Sequence, residues 1–199
     1  MANTNTPFGF KQVKGTGSLP TFEQNVRYIA SNNTTAIFFG DAVIPLPTGY
    51  IGQSTALAVR VEGIFAGCKY TSVSQKRTVW SNYWPGSDAN GDVEAYIIDD
   101  PNAQFQVQAT TGPITFASIG EYAQLTIGTG NTATGVSGMS LVTPTGAAGV
   151  VTLPFIVRAL VQDPPGSNGT DITSAYNIVV VGFNNASTRT NGAGPAGIA

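Results

Sequence analysis

Ala103-Gln104-Phe105-Gln106-Val107-Gln108-Ala109 alternates apolar and polar side chains without a break. Successive side chains of a strand point to opposite faces. This spacing therefore predicts a β-strand that buries Ala103, Phe105, Val107 and Ala109 and turns Gln104, Gln106 and Gln108 to a neutral polar face. In both directions from it the same texture recurs, as short runs rich in Val, Ile, Thr, Phe and Tyr broken by turn formers, among them 24 Gly and 12 Pro. Further strands are predicted over residues 25–30, 36–44, 56–70, 77–84, 93–99, 121–127, 150–161 and 176–183. No segment of helical length carries a 3.6-residue period. A bend or bulge is expected at Gly63, and Pro154 should hold its strand to an edge or an irregularity. So many strands leave edges that closure or layering must protect. The expected fold is all-β, an antiparallel β-barrel or β-sandwich of Greek-key or jelly-roll type.

Three stretches have too little apolar content to form a core of their own: residues 1–20, 128–149 and 185–199. The expected organisation is an extended N-terminal arm over 1–20, a β domain over 21–184 with a Gly/Thr-rich loop at 128–149, and a flexible C-terminal tail over 185–199. The two ends read either as disordered termini or as arms that order across a neighbouring subunit, with Phe8 and Phe10 as anchors of the first.

The chain of 199 residues is long enough to bury a sizeable core without staples. With a single cysteine, Cys68, it can form no intrachain disulfide, and the apolar run around Cys68 reads as a small buried hydrophobe. Charged residues make up 10% of the chain, against about 25% in ordinary domains. A surface of Ser, Thr, Asn, Gln and Gly repels its neighbours weakly and suits permanent contacts. Nine Lys and Arg spread singly, with a net charge of -2, provide no stripe to neutralise phosphates, so nucleic acid is not expected as a partner. No apolar run approaches the length of a membrane span, and the first residues show no secretion-signal pattern. The expected compartment is cytosol-like, and sequons such as Asn168-Gly169-Thr170 read as products of composition.

The search for chemistry returns little. Histidine is absent, which removes the commonest general base and transition-metal ligand. Gly52-Gln53-Ser54-Thr55-Ala56 ends in the wrong residue for a nucleophile elbow and reads as a turn. Gly192-Ala193-Gly194-Pro195-Ala196-Gly197 matches a dinucleotide fingerprint in letters only, because Pro195 stands inside it. Asp88-Ala89-Asn90-Gly91-Asp92 imitates the start of a calcium loop, but Val93 takes the place of the sharp-turn glycine, and Asn90-Gly91 is a strong hairpin signal. Asp99-Asp100-Pro101 offers two carboxylates on opposite faces of a strand and reads first as a turn. A glycosidase using Asp99, Asp100 or Glu94 would need a pair held at a fixed separation. No cofactor or metal is expected. Trp80, Tyr83 and Trp84 form an aromatic cluster that either pairs across strands in a core or lines a glycan groove.

Several phrases together carry a resemblance. They are Phe39-Gly40-Asp41-Ala42-Val43 with Thr48-Gly49-Tyr50, Gly63 to Tyr70, Thr78-Val79-Trp80-Ser81-Asn82-Tyr83-Trp84-Pro85-Gly86, and Ala95-Tyr96-Ile97-Ile98-Asp99-Asp100-Pro101. In that order, over roughly residues 8–109, the chain resembles virion structural proteins of tailed bacteriophages, of the capsid cement or decoration kind. The resemblance implies a non-enzymatic β subunit assembled in the host cytoplasm, a dimer or trimer, on the outer face of the head, bridging neighbouring major capsid proteins. Phe8, Phe10, Gln104, Gln106 and Gln108 are the expected contact residues. The alternative is a tail-associated receptor- or glycan-binding protein that uses Trp80, Tyr83 and Trp84.

Overall fold

A computed structural model describes residues 3–56, 60–144, 152–161 and 171–187. Its strands form two large antiparallel sheets and a small ladder, with one short 3-10 turn at Phe116–Ser118. The five-stranded sheet runs in the order β1 (Lys11–Lys14), β8 (Gln104–Gln108), β13 (Ile178–Phe183), β12 (Phe155–Leu160) and β9 (Tyr122–Ala123). The six-stranded sheet runs β2 (Asn25–Ile29), β7 (Val93–Ile98), β5 (Gly63–Ser72), β3 (Ala42–Pro45) and β4 (Ile51–Gln53), with β6 (Arg77–Ser81) also paired to β5. β10 (Leu125–Thr126) and β11 (Ser140–Leu141) make the ladder. The fold is an all-β antiparallel sandwich, and neither sheet closes into a barrel.

Strand alternation explains the layering. In β8, Phe105 and Val107 are fully buried, and they meet Val157 of β12 and Val179, Val181 and Phe183 of β13. Ala42, Ile64 and Ile98 of the six-stranded sheet join this same cluster, so one part of that sheet packs against the five-stranded one. On its other face, Val43, Phe65, Cys68, Tyr70, Val93, Ala95 and Ile97 form a second core closed by Ile37 and Trp84. Each large apolar side chain so enclosed contributes about 1.5–3 kcal/mol.

The expectations for 25–30, 77–84, 93–99 and 176–183 correspond to β2, β6, β7 and β13, with ends trimmed. In the run 56–70 the strand starts at Gly63, and its irregularity falls instead between Phe65 and Gly67. Gly67 sits at φ 139°, a conformation open to glycine, which explains why the bulge is there. Pro154 lies just before β12, where its missing N–H leaves the ladder intact; β12 is an inner strand, and it does carry an irregularity, a register shift against β13 between Val157 and Ala159. Gly52 and Gln53 belong to β4 and not to a turn, because β3 supplies backbone partners for this stretch.

The N-terminal segment is not a free arm. β1 pairs with β8, and Phe10, 2% exposed, stacks on Phe155 with ring centroids 4.4 Å apart. Ahead of it, the Asn3 amide donates to the carbonyls of Asp171 and Ala175, both at 2.8 Å. The sequence shows two aromatics in a polar stretch; folding gives one of them a place in the chain's own core. The 128–149 loop is likewise anchored over its described part, since Met139 and Leu141 are fully buried. A Cβ on Gly128 would run into the Gly138 carbonyl oxygen, so the glycines here let two backbone segments touch. Buried Asp41 ties this loop to β3. Its carboxylate accepts from the Ser137 hydroxyl at 2.5 Å, the Phe38 amide at 2.9 Å and the Gln53 amide at 2.8 Å. Burial pushes its pKa up, against those three donors. Of the tail, Ala186 is buried and bridges Val61, whereas positions 188–199, with the 192–197 motif, lie outside the described residues, as does the 168–170 sequon.

Candidate functional site

Two surface regions gather side chains that a core would ordinarily cover. The first lies on the six-stranded sheet. The side of β5 and β7 that carries Ile64 and Ile98 is covered by the five-stranded sheet only at that end. Further along the same side, register places Trp80 opposite Lys69, Lys69 opposite Glu94, and Glu94 opposite Tyr28, a row across four strands. The next row sets Tyr96 between Gly67 and Val26. Here Trp80 is 68% exposed and Tyr28 52%.

The Trp80 and Tyr96 rings are nearly parallel, 4° apart in tilt with centroids at 5.8 Å. Lys69 Nζ stands 5.4 Å from the Trp80 ring centre and donates to Glu94 Oε2 at 3.0 Å, while the Tyr96 hydroxyl reaches the same oxygen at 3.5 Å. The hydrogen bond to Glu94 holds the Lys69 ammonium protonated above its ordinary range. Partial burial, and then the Glu94 charge, raises the Tyr96 phenol. Because Gly67 has no side chain, a hollow of about 410 Å³ opens beside the rings, edged by Gln24 and Asn82.

The second region is on the five-stranded sheet. Lys11 and Gln106 are register partners of β1 and β8, and with Phe8, Phe39, Val136 and Ile178 they surround a mostly apolar hollow of about 480 Å³. Phe39 and Val136 arrive from distant segments that form a parallel bridge.

These placements revise the expected site. Phe8 and Gln106 converge on the second hollow; Phe10 does not, being in the core. Gln104 lines a different recess with Asn102 and Arg158. Gln108 is buried because its amide is spent on the N-terminal segment, accepting from the Thr6 N–H at 2.9 Å and donating to Thr4 O at 2.9 Å and Tyr176 O at 3.0 Å. Of the three aromatics, only Trp80 faces outward. Trp84 is fully buried, edge-on to Tyr70, and Tyr83 stacks on Phe38 at 5.4 Å. Tyr96 was the missed partner. The alternation Val93-Glu94-Ala95-Tyr96-Ile97 already sets Glu94 and Tyr96 on the face opposite the buried residues, but only sheet register brings them to Trp80. Phe39 and Val136 carry no such local signal.

The carboxylates of the acidic motifs are taken up by hydrogen bonds within the fold. Asp88 accepts from the Ser72 hydroxyl at 2.7 Å and the Ser74 amide at 2.9 Å, and the Ser72 bond first, then Ser74, lower its pKa. Asp92 instead accepts from the Tyr50 hydroxyl at 2.9 Å. Gly91 does turn the chain, at φ 93°, but the strands before and after it, β6 and β7, flank β5 and do not pair with each other. Asp99 binds the Asn25 amide at 2.7 Å, whereas Asp100 accepts from Thr16 N–H and Asn102 N–H, both at 2.8 Å, so the two carboxylates diverge. Among the described residues no three His, Cys, Asp or Glu side chains converge as a metal site requires. No helix among them is long and apolar enough to cross a membrane.

Cys68 is 1% exposed, and burial pushes its thiol pKa up to about 12. The thiolate is the reactive form, so a disulfide reagent at pH 8 is expected to leave the folded chain unlabelled and to modify one thiol per chain once urea unfolds it. Rapid labelling of the native protein would contradict this burial.

Comparison with family models, curated proteins and solved structures finds no match to the chain.

Proposed function

We propose that this chain is a non-enzymatic virion structural protein, a capsid decoration subunit that binds the outer face of a phage head and bridges neighbouring major capsid proteins. The observation that carries the reading is the second hollow. Phe8 and Gln106, two residues expected at a contact on sequence grounds, come together with exposed Phe39 around an apolar recess on the five-stranded sheet. A mainly apolar recess whose one charged residue, Lys11, sits exposed at the rim suits a protein partner, because the apolar centre can be buried while the ammonium stays in water. The phrases over residues 8–109 that resemble decoration proteins favour a capsid protein as that partner. Contacts of this kind are individually weak, and a dimer or trimer would multiply them through effective concentration on a repeating shell.

The test is cosedimentation with heads of the encoding phage assembled without this chain. The wild type should pellet with the heads, and Phe39→Asp should bind about tenfold more weakly or worse, the loss typical of a central contact. Wild-type chain left wholly in the supernatant would end the decoration reading.

A further inference from the structure

We infer that the hollow over Gly67 is a binding site for a neutral glycan, with a pyranose ring stacked on the exposed face of Trp80, which Tyr96 backs. This inference rests on the six-stranded sheet alone and stands apart from the decoration reading.

Three observations select the occupant. The first is shape. The Trp80 ring, 68% exposed and backed by the Tyr96 ring stacked 4° from parallel with it, offers one flat apolar face of the kind the C–H face of a pyranose covers. The hollow of about 410 Å³ beside them falls in the usual size range of small-molecule sites, about 300–1,000 Å³. Its floor depends on Gly67, whose φ of 139° excludes other residues.

The second observation is polarity. Each ring has a charged group against it: Lys69 Nζ 5.4 Å from the Trp80 centre and Glu94 Oε2 3.5 Å from the Tyr96 hydroxyl. An apolar partner lying on this face would strip water from that ion pair and offer no partner to its remaining donors and lone pairs. A polyol avoids the penalty, because its hydroxyls can donate to Glu94 and accept from Lys69 and from the exposed Gln24 amide.

The third is charge. Lys69 and Glu94 neutralise each other at 3.0 Å, and the hollow itself is lined by uncharged residues. Among the described residues that line the hollow no cation is left over for a carboxylated or sulfated sugar, so the complementary ligand is neutral. Pyranoses whose hydroxyls are all equatorial present the flattest face to such a platform.

The full chain should be titrated calorimetrically with cellotetraose and chitotetraose, both neutral, and with tetragalacturonate as the acidic counterpart. At least one neutral tetrasaccharide is expected to bind with a Kd at or below about 1 mM, and tetragalacturonate about tenfold more weakly or not at all. Trp80→Ala and Tyr96→Ala should each weaken binding about tenfold or more, with Trp80→Phe recovering part of the loss because it keeps a stacking face. Unfolding curves of the variants matching the wild type would show that the loss is local. The inference is overturned if neither neutral sugar binds at about 10 mM, if tetragalacturonate binds best, or if folded Trp80→Ala binds as well as the wild type.

Discussion

Trp84→Ala should lower the unfolding free energy by about 3–5 kcal/mol, the range for truncating a large buried aromatic. In a chain of this size that corresponds to a fall in Tm of about 6–20 °C. The indole is fully buried, edge-on to Tyr70 at 5.1 Å, and Trp84 exchanges backbone hydrogen bonds with Ile37 at 2.7 and 2.9 Å. Its removal opens a cavity where the 30–40 and 82–90 segments cover the six-stranded sheet. Trp80→Ala provides the contrast within one protein. With 68% of its surface already in water, its loss should move Tm by no more than about 1–2 °C. Urea melts of the two variants side by side measure the difference directly. Equal destabilisation would show that the two tryptophans are not divided between core and surface in this way.

Phe10→Ala is expected to cost a similar amount, about 3–5 kcal/mol. Its ring lies 17° from parallel with Phe155, which in turn stacks with Phe183, so it is one end of an aromatic column running through the main core. The neighbouring backbone adds to the attachment: Phe10 N–H donates to Gly40 O at 2.9 Å and Gly9 N–H to Met139 O at 3.2 Å. If residues 1–20 were an arm that orders only on a neighbour, Phe10→Ala would leave the melting of the isolated chain unchanged. Phe8→Ala, at the partly exposed hollow, should stay much closer to the wild type. Comparing the pair locates the boundary between core and surface within the N-terminal segment.

The residues that sequence reading placed well are those whose environment is set by neighbours along the chain. Ala103 to Ala109 alternates as expected because period two is a local property of a strand, and Phe105 and Val107 are buried accordingly. Cys68 is buried, as its apolar run implied, and Asp100 opens a turn, as Asp-Pro implied. Gln108 shows the limit of the same argument. Its parity is outward, but a segment about a hundred residues away lies over it and takes up its amide. Trp80 and Trp84 show it again, for they occupy one short stretch with similar composition around them, yet Trp80 lies beside Lys69 on one face of the six-stranded sheet while Trp84 joins the core on the other, under Ile37.

The amino-acid order by itself determined that this chain folds as antiparallel strands, because period-two patterning and turn formers act over a few residues. It also determined a neutral surface without histidine chemistry, since composition needs no fold to be read. Tertiary structure alone decided that Tyr96 stands beside Trp80, that Phe8 and Gln106 meet Phe39, and that Phe10 belongs inside. Those are distances between residues remote in sequence, set by sheet register and by which segment covers which face, and no local pattern encodes them.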